Sequence, residues 1–155
     1  MTPQTTVEFL ARERGRIVEA ADAALRRAHA QHYEAAGEPE VRLRLDALFD
    51  QLLQVLTDRD LAGIVSRAEL VAEERFDAGY DLSEVQTAFN ALEEAIWARA
   101  IEVLDPAGLA EALGLVSTVL GAGKDALARR YVSLATRTHA PSLDLRALFT
   151  GTEGR

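Results

Sequence analysis

Apolar residues in this sequence return every third or fourth position, in segment after segment. Leu45, Leu48, Phe49, Leu52 and Leu56 show the spacing, as do Ile64, Val65, Ala68, Ala72 and Phe76, and again Val85, Phe89, Leu92 and Ile96. That period stacks side chains on one face of an α-helix, whereas a half-buried strand alternates every second residue. No such alternation runs for more than a few positions. Helix faces must therefore be buried against helix faces. The expected fold class is all-α, a single domain of about five main helices arranged as a helical bundle or a globin-like packing.

Punctuation between the periodic segments sets the expected boundaries. Thr5 and Glu8 have the spacing of a capping box, and a first helix is expected from Thr6 to Ala36, with Leu10, Ile17, Ala21, Leu25 and Ala28 on its apolar face and Gly37 as its close. The second helix starts at Pro39 or Glu40 and breaks at Thr57-Asp58-Arg59-Asp60, where Asp58 or Asp60 can cap the third. The third helix carries Leu61 and the Ile64–Phe76 stripe, and Gly79 ends it. Asp81 and Glu84 form a second capping box, and Val103 extends the fourth stripe, with Trp97 beside it. Asp105 caps the fifth helix and Pro106 takes its first position, where a missing N–H is harmless. Leu109, Leu113, Val116, Leu120, Leu127, Tyr131 and Leu134 continue it to about Arg137, with Gly121-Ala122-Gly123 as an interruption that bends it or admits a neighbouring helix. Pro141 is expected to stop the pattern. This divides the chain into an all-helical domain, 1–140, and a short tail, 141–155, in which Ser142 to Phe149 form one further amphipathic turn or helix.

Composition excludes several classes of function. With 155 residues, 48% of them hydrophobic, the chain can bury a core without disulfides or a structural metal. It has no cysteine, which removes thiolate zinc sites, iron–sulfur clusters and cysteine nucleophiles. A net charge of −8 disfavours nucleic acid and anionic membrane as partners. No apolar run approaches the ~20 residues of a membrane span. Met1-Thr2-Pro3-Gln4-Thr5 has no signal-peptide character, so a cytoplasmic location is expected.

No chemical constellation stands out. His29 and His32 are an i, i+3 pair without a third ligand at fixed spacing, and no Glu precedes a His by three positions as a di-iron bundle requires. A haem globin needs a histidine in its later half, yet none occurs from Val41 to Thr138, and His139 stands beside Pro141. Tyr33, Tyr80 and Tyr131 are rarer types of haem ligand. The Gly121-Ala122-Gly123-Lys124 run lacks the rest of a phosphate loop, since Thr118 and Asp125 occupy the positions of its first glycine and its final hydroxyl. Glu73-Glu74 and Glu93-Glu94 point about 100° apart on a helix and read as solvated, although Trp97 near Glu93 and Glu94 leaves room for a partly buried acid. Arg26-Arg27 and Arg129-Arg130 read as surface pairs. No catalytic residue, cofactor or metal ligand is assigned. Phe49, Phe76, Phe89, Trp97 and Tyr131 are the candidate lining of a ligand pocket, with ordinary core as the alternative.

Three segments carry a family resemblance: Leu45-Asp46-Ala47-Leu48-Phe49-Asp50-Gln51-Leu52, Ala72-Glu73-Glu74-Arg75-Phe76-Asp77-Ala78-Gly79-Tyr80-Asp81-Leu82-Ser83-Glu84-Val85, and Ala88-Phe89-Asn90-Ala91-Leu92-Glu93-Glu94-Ala95-Ile96-Trp97. Together they resemble the N-terminal sensor domain of the RsbT co-antagonist (RsbR/RsbRD-type) proteins of the bacterial stress response. The resemblance implies a non-enzymatic signalling domain, all-α and non-haem globin-like. It also implies a homodimer that acts through contacts with a regulatory partner protein. It carries no catalytic residues. Members of that family usually continue into an output domain, and this sequence ends at Arg155 before one. The alternative is a helical protein that binds a small molecule, tetrapyrroles included.

Overall fold

The computed structural model describes residues 3–28 and 38–143, with side chains at 5–28 and 41–137. Among the described residues there are five helices and no strand: α1 (Pro3–Arg27), α2 (Glu38–Asp58), α3 (Ala62–Asp77), α4 (Leu82–Val103) and α5 (Pro106–Leu143). The chain is an all-α, single-domain helical bundle. His29, His32, Tyr33 and Gly37 lie outside the described residues, as does most of the 141–155 tail.

Most of the predicted boundaries appear with their chemistry. At the end of α3, the Gly79 N–H donates to the Phe76 carbonyl at 3.1 Å and the Tyr80 N–H to the Arg75 carbonyl at 2.9 Å. This pair of bonds is a Schellman motif, and it needs the left-handed backbone that Gly79 adopts at φ 85°. Asp81 and Glu84 then form the expected capping box of α4, with the Asp81 N–H donating to the Glu84 carboxylate at 3.0 Å. Asp105 accepts from the Gly108 N–H at 2.7 Å and opens α5. At the third boundary Asp60 stands one residue before the N-cap, Leu61, and accepts from the Ala62 N–H at 3.0 Å, so neither aspartate takes the cap position itself.

Four expectations are corrected. Thr5 does not cap α1, because the helix already begins at Pro3, whose fixed φ suits a first position. Gly121-Ala122-Gly123 does not interrupt α5, which is helical throughout. Nor does Pro141 stop it: the described helix runs on to Leu143, three residues beyond the expected domain boundary at 140. A proline within a helix forfeits the one backbone bond that its missing N–H would have made to the preceding turn. Finally, α5 is long and apolar enough to cross a membrane by length and composition, with a mean hydropathy of 1.3 in its most apolar stretch. In the bundle it packs against α3 and α4.

The helices close a ring in which α1 lies between α2 and α4, α5 lies between α4 and α3, and α2 returns to α3. Phe9, Leu10, Ile17, Phe49, Leu52, Ile64, Leu92, Ile96, Leu120 and Leu127 fill its centre and are fully buried. At Gly123, a Cβ would stand 2.9 Å from Phe89 Cε2 on α4 and 3.0 Å from Ile64 Cγ1 on α3. The glycine is what lets α5 approach two helices at once.

Charged residues tie the ring at its rim. Arg14 on α1 donates to Asp50 at 2.5 Å and to Asp46 at 3.3 Å on α2, and its guanidinium lies over Phe49. Arg99 on α4 donates to Glu13 on α1 at 2.5 Å. The hydrogen bond from Arg99, reinforced by its charge, holds the Glu13 carboxyl below its ordinary value of 4.5. A depressed carboxyl stabilises the fold above its unfolded pKa, and the contribution is lost as pH falls through the folded one. Chemical denaturation between pH 6 and pH 3 should therefore show less acid-side loss of stability in Glu13→Gln than in the unaltered chain. Equal slopes would remove this pair as an acid-sensitive tie.

Candidate functional site

An opening sits where the end of α2 and the turn into α3 meet the middle of α5. It has a volume of about 300 Å³. Val55 and Leu56 from α2, Leu61 from the α2–α3 turn, and Leu115 and Val119 from α5 form its apolar walls. Arg59, Asp60 and Thr118 supply polar groups at its exposed rim. An apolar cleft with a few polar groups is the usual form of a small-molecule site, and 300 Å³ is at the lower end of the size range.

Local folding creates this opening. Arg59 takes a left-handed backbone at φ 57° without being glycine. Its N–H donates to the Val55 carbonyl at 2.8 Å and the Asp60 N–H reaches the same oxygen at 3.4 Å. The chain thus turns sharply, Leu61 stands at the N-cap of α3, and its side chain remains 41% exposed at the cavity mouth. The sequence reading placed Leu61 on the buried stripe, because no glycine announces the turn that displaces it.

The five aromatic candidates do not converge on this cavity. Phe49 is buried at the α1–α2 junction, with the Arg14 guanidinium carbon 5.0 Å from its ring centre. Phe76 and Tyr131 pair edge to face, 5.7 Å between centres at 77°, and join α3 to α5. The Tyr131 hydroxyl donates to the Tyr80 carbonyl at 3.2 Å. Phe89 is buried against Gly123 and lines a separate, smaller cavity. Trp97 is 41% exposed and lines a shallow hollow with Asn90, Glu93 and Glu94. The structure thus unites Phe76 with Tyr131 and separates the other three.

Beside Trp97, Glu93 is the partly buried acid of its pair, with a side chain 18% exposed. It accepts from the Ser117 hydroxyl at 2.8 Å and faces Lys124 at 3.7 Å. Lys124 also donates to Asn90 at 2.9 Å, so the lysine of the glycine run serves the α4–α5 contact. Across α3 and α5, Arg130 pairs with Glu73 at 2.9 Å, while Arg129 pairs with Asp125 within α5. Among the described residues no group of three or more His, Asp or Glu side chains could hold a metal ion. Family models, curated proteins and solved structures contain no match to the chain.

Proposed function

We propose that this domain is a non-enzymatic regulatory module whose input is a small, largely apolar molecule held in the α2–α3–α5 cavity. The observation that carries the reading is the 300 Å³ cleft itself, with apolar walls from α2, the α2–α3 turn and α5 and polar groups only at its rim. No nucleophile, general base and orienting partner meet there as a hydrolytic or transfer mechanism requires. A ligand in this position touches the end of α2, the turn that leads into α3 and the middle of α5 together, so occupancy is transmitted to all three.

The output in this proposal is contact with a second copy and with a regulatory partner protein in the cytoplasm, as the RsbR-type resemblance implies. Trp97 and Ile101, one helical turn apart on α4 and 41% and 61% exposed, support it by offering apolar surface outside the core. The acidic charge of −8 supports protein partners over nucleic acid.

The test uses Nile red, a neutral dye whose emission reports an apolar site. The unaltered chain is expected to bind it saturably with one site. Thr118→Trp, which fills the cavity from its exposed rim, should weaken binding by at least about tenfold, the equivalent of ~1.4 kcal/mol, while melting at the same temperature. An absorption spectrum of the purified protein separates a tetrapyrrole, with its Soret band, from a colourless ligand. Dye binding that is absent, or unchanged in Thr118→Trp, would remove the cavity as the input site.

A further inference from the structure

A second cavity opens between α2, α3 and α4, and its charge is unlike the rest of the molecule. Arg44 from α2 and Arg67 and Arg75 from α3 line it together with Val71, Val85 and Phe89. The chain carries 25 acidic residues against 17 basic ones, yet no carboxylate is among the residues that line this opening. Arg67, Val71 and Arg75 repeat every fourth position, so one face of α3 presents two guanidiniums with an apolar residue between them.

Three cations around one small space repel, and guanidiniums removed from water need acceptors. Arg75 is the clearest case. Its side chain is 14% exposed, its Nε is buried without a hydrogen-bond partner, and its only described carboxylate contact is the exposed Glu74 at 3.5 Å. Part of its charge rests on the Tyr80 ring, 5.7 Å from the guanidinium carbon to the ring centre. Arg44 lies over the same ring at 5.5 Å and donates to the Tyr80 hydroxyl at 2.7 Å, which fixes its head at the cavity. Arg67 is half-buried and pairs with no carboxylate among the described residues. Such a cluster is costly for folding, and a bound anion would offset the cost.

We propose that this cavity binds the anion of a short-chain carboxylic acid. The planar carboxylate matches the fork of a guanidinium, and Arg44, Arg67 and Arg75 around the opening are the donors. Val71, Val85 and Phe89 receive the first carbons of the chain. The volume of about 40 Å³ admits a small head with little behind it, and the remainder of a longer acid would extend into solvent. This site is independent of the α2–α3–α5 cavity, and either can fail without the other.

The experiment titrates the ¹⁵N-labelled full chain with butyrate, n-butanol and inorganic phosphate while following the Arg75 Nε–H resonance and the Tm. Butyrate is expected to move the Arg75 resonance saturably and to raise the Tm. Phosphate should bind at least about tenfold more weakly, and butanol should leave the resonance in place. Arg67→Gln is expected to weaken butyrate by about tenfold and, by relieving repulsion, to raise the Tm of the unliganded protein. Should that variant fail to fold, Arg75→Lys keeps the charge but loses the planar fork, and it should lose butyrate binding as well. Butanol binding as tightly as butyrate would reduce the site to an apolar hollow. Phosphate binding as tightly as butyrate would reduce it to a patch of charge. An Arg75 resonance that does not respond to butyrate would overturn the proposal outright.

Discussion

Gly123→Val is expected to lower the stability of the domain by about 3 kcal/mol, a fall in Tm of roughly 10 °C for a chain of this size. The reason is the three-helix junction on which α5 rests. A Cβ at position 123 would stand at 2.9 Å from the Phe89 ring and 3.0 Å from Ile64 Cγ1, closer than packed carbons tolerate. Both neighbours are themselves buried in the core and have no open side to retreat to. Valine adds two further methyl groups, so α5 must separate from α3 and α4 together. Intrinsic helix propensity hardly offsets this, since valine exceeds glycine by only a few tenths of a kcal/mol. Gly121→Ala supplies the control: nothing lies within 4 Å of its Cβ position, and the change should raise stability by up to about 1 kcal/mol. Urea denaturation of the two variants reads both signs. If valine at 123 were as stable as the unaltered chain, α5 would not make this close approach.

Phe49→Ala should cost about 4 kcal/mol, while Trp97→Ala should change stability by less than about 1 kcal/mol. Phe49 is fully buried between α1 and α2, and its loss leaves a cavity beneath Arg14. Arg14 also loses the ring face that partners its cation, although Asp50 and Asp46 still hold its guanidinium. Trp97 lies 41% exposed beside Asn90, Glu93 and Glu94, where its removal opens no interior space. Thermal and urea melts of the two single variants separate the cases. A severe loss from Trp97→Ala, or a mild one from Phe49→Ala, would show that the two aromatics have been placed on the wrong sides of the core.

The helices were legible because their signals are local. The stripe Val85, Phe89, Leu92 and Ile96 is buried as its spacing requires, and the caps at Asp81 and Asp105 depend on residues within three positions of themselves. Gly123 was half legible: its glycine suggested close approach, but not that α3 and α4 would both be the neighbours. Ring order was not legible. Short loops suggest neighbours in sequence, yet the Schellman turn at Gly79 sends α4 away from α3 to pack on α1. For the same reason the aromatic candidates, chosen by residue type, scatter over several junctions. The 300 Å³ cavity joins Val55 to Val119 through a left-handed Arg59 that no glycine marks. The arginine-lined cavity needs Arg44 to meet Arg67 and Arg75 across two helices. Periodicity assigns faces, and crossing geometry decides which faces meet.

The most direct test of the ligand-input account is methyl NMR of the full chain during titration with cyclohexanol, a small neutral probe. The account predicts saturable shifts at the methyls of Val55, Leu56, Leu61, Leu115 and Val119, with Val71 and Val85 at the arginine-lined cavity unmoved. Shifts that are absent, that never saturate, or that centre on the methyls outside the α2–α3–α5 cavity would contradict it.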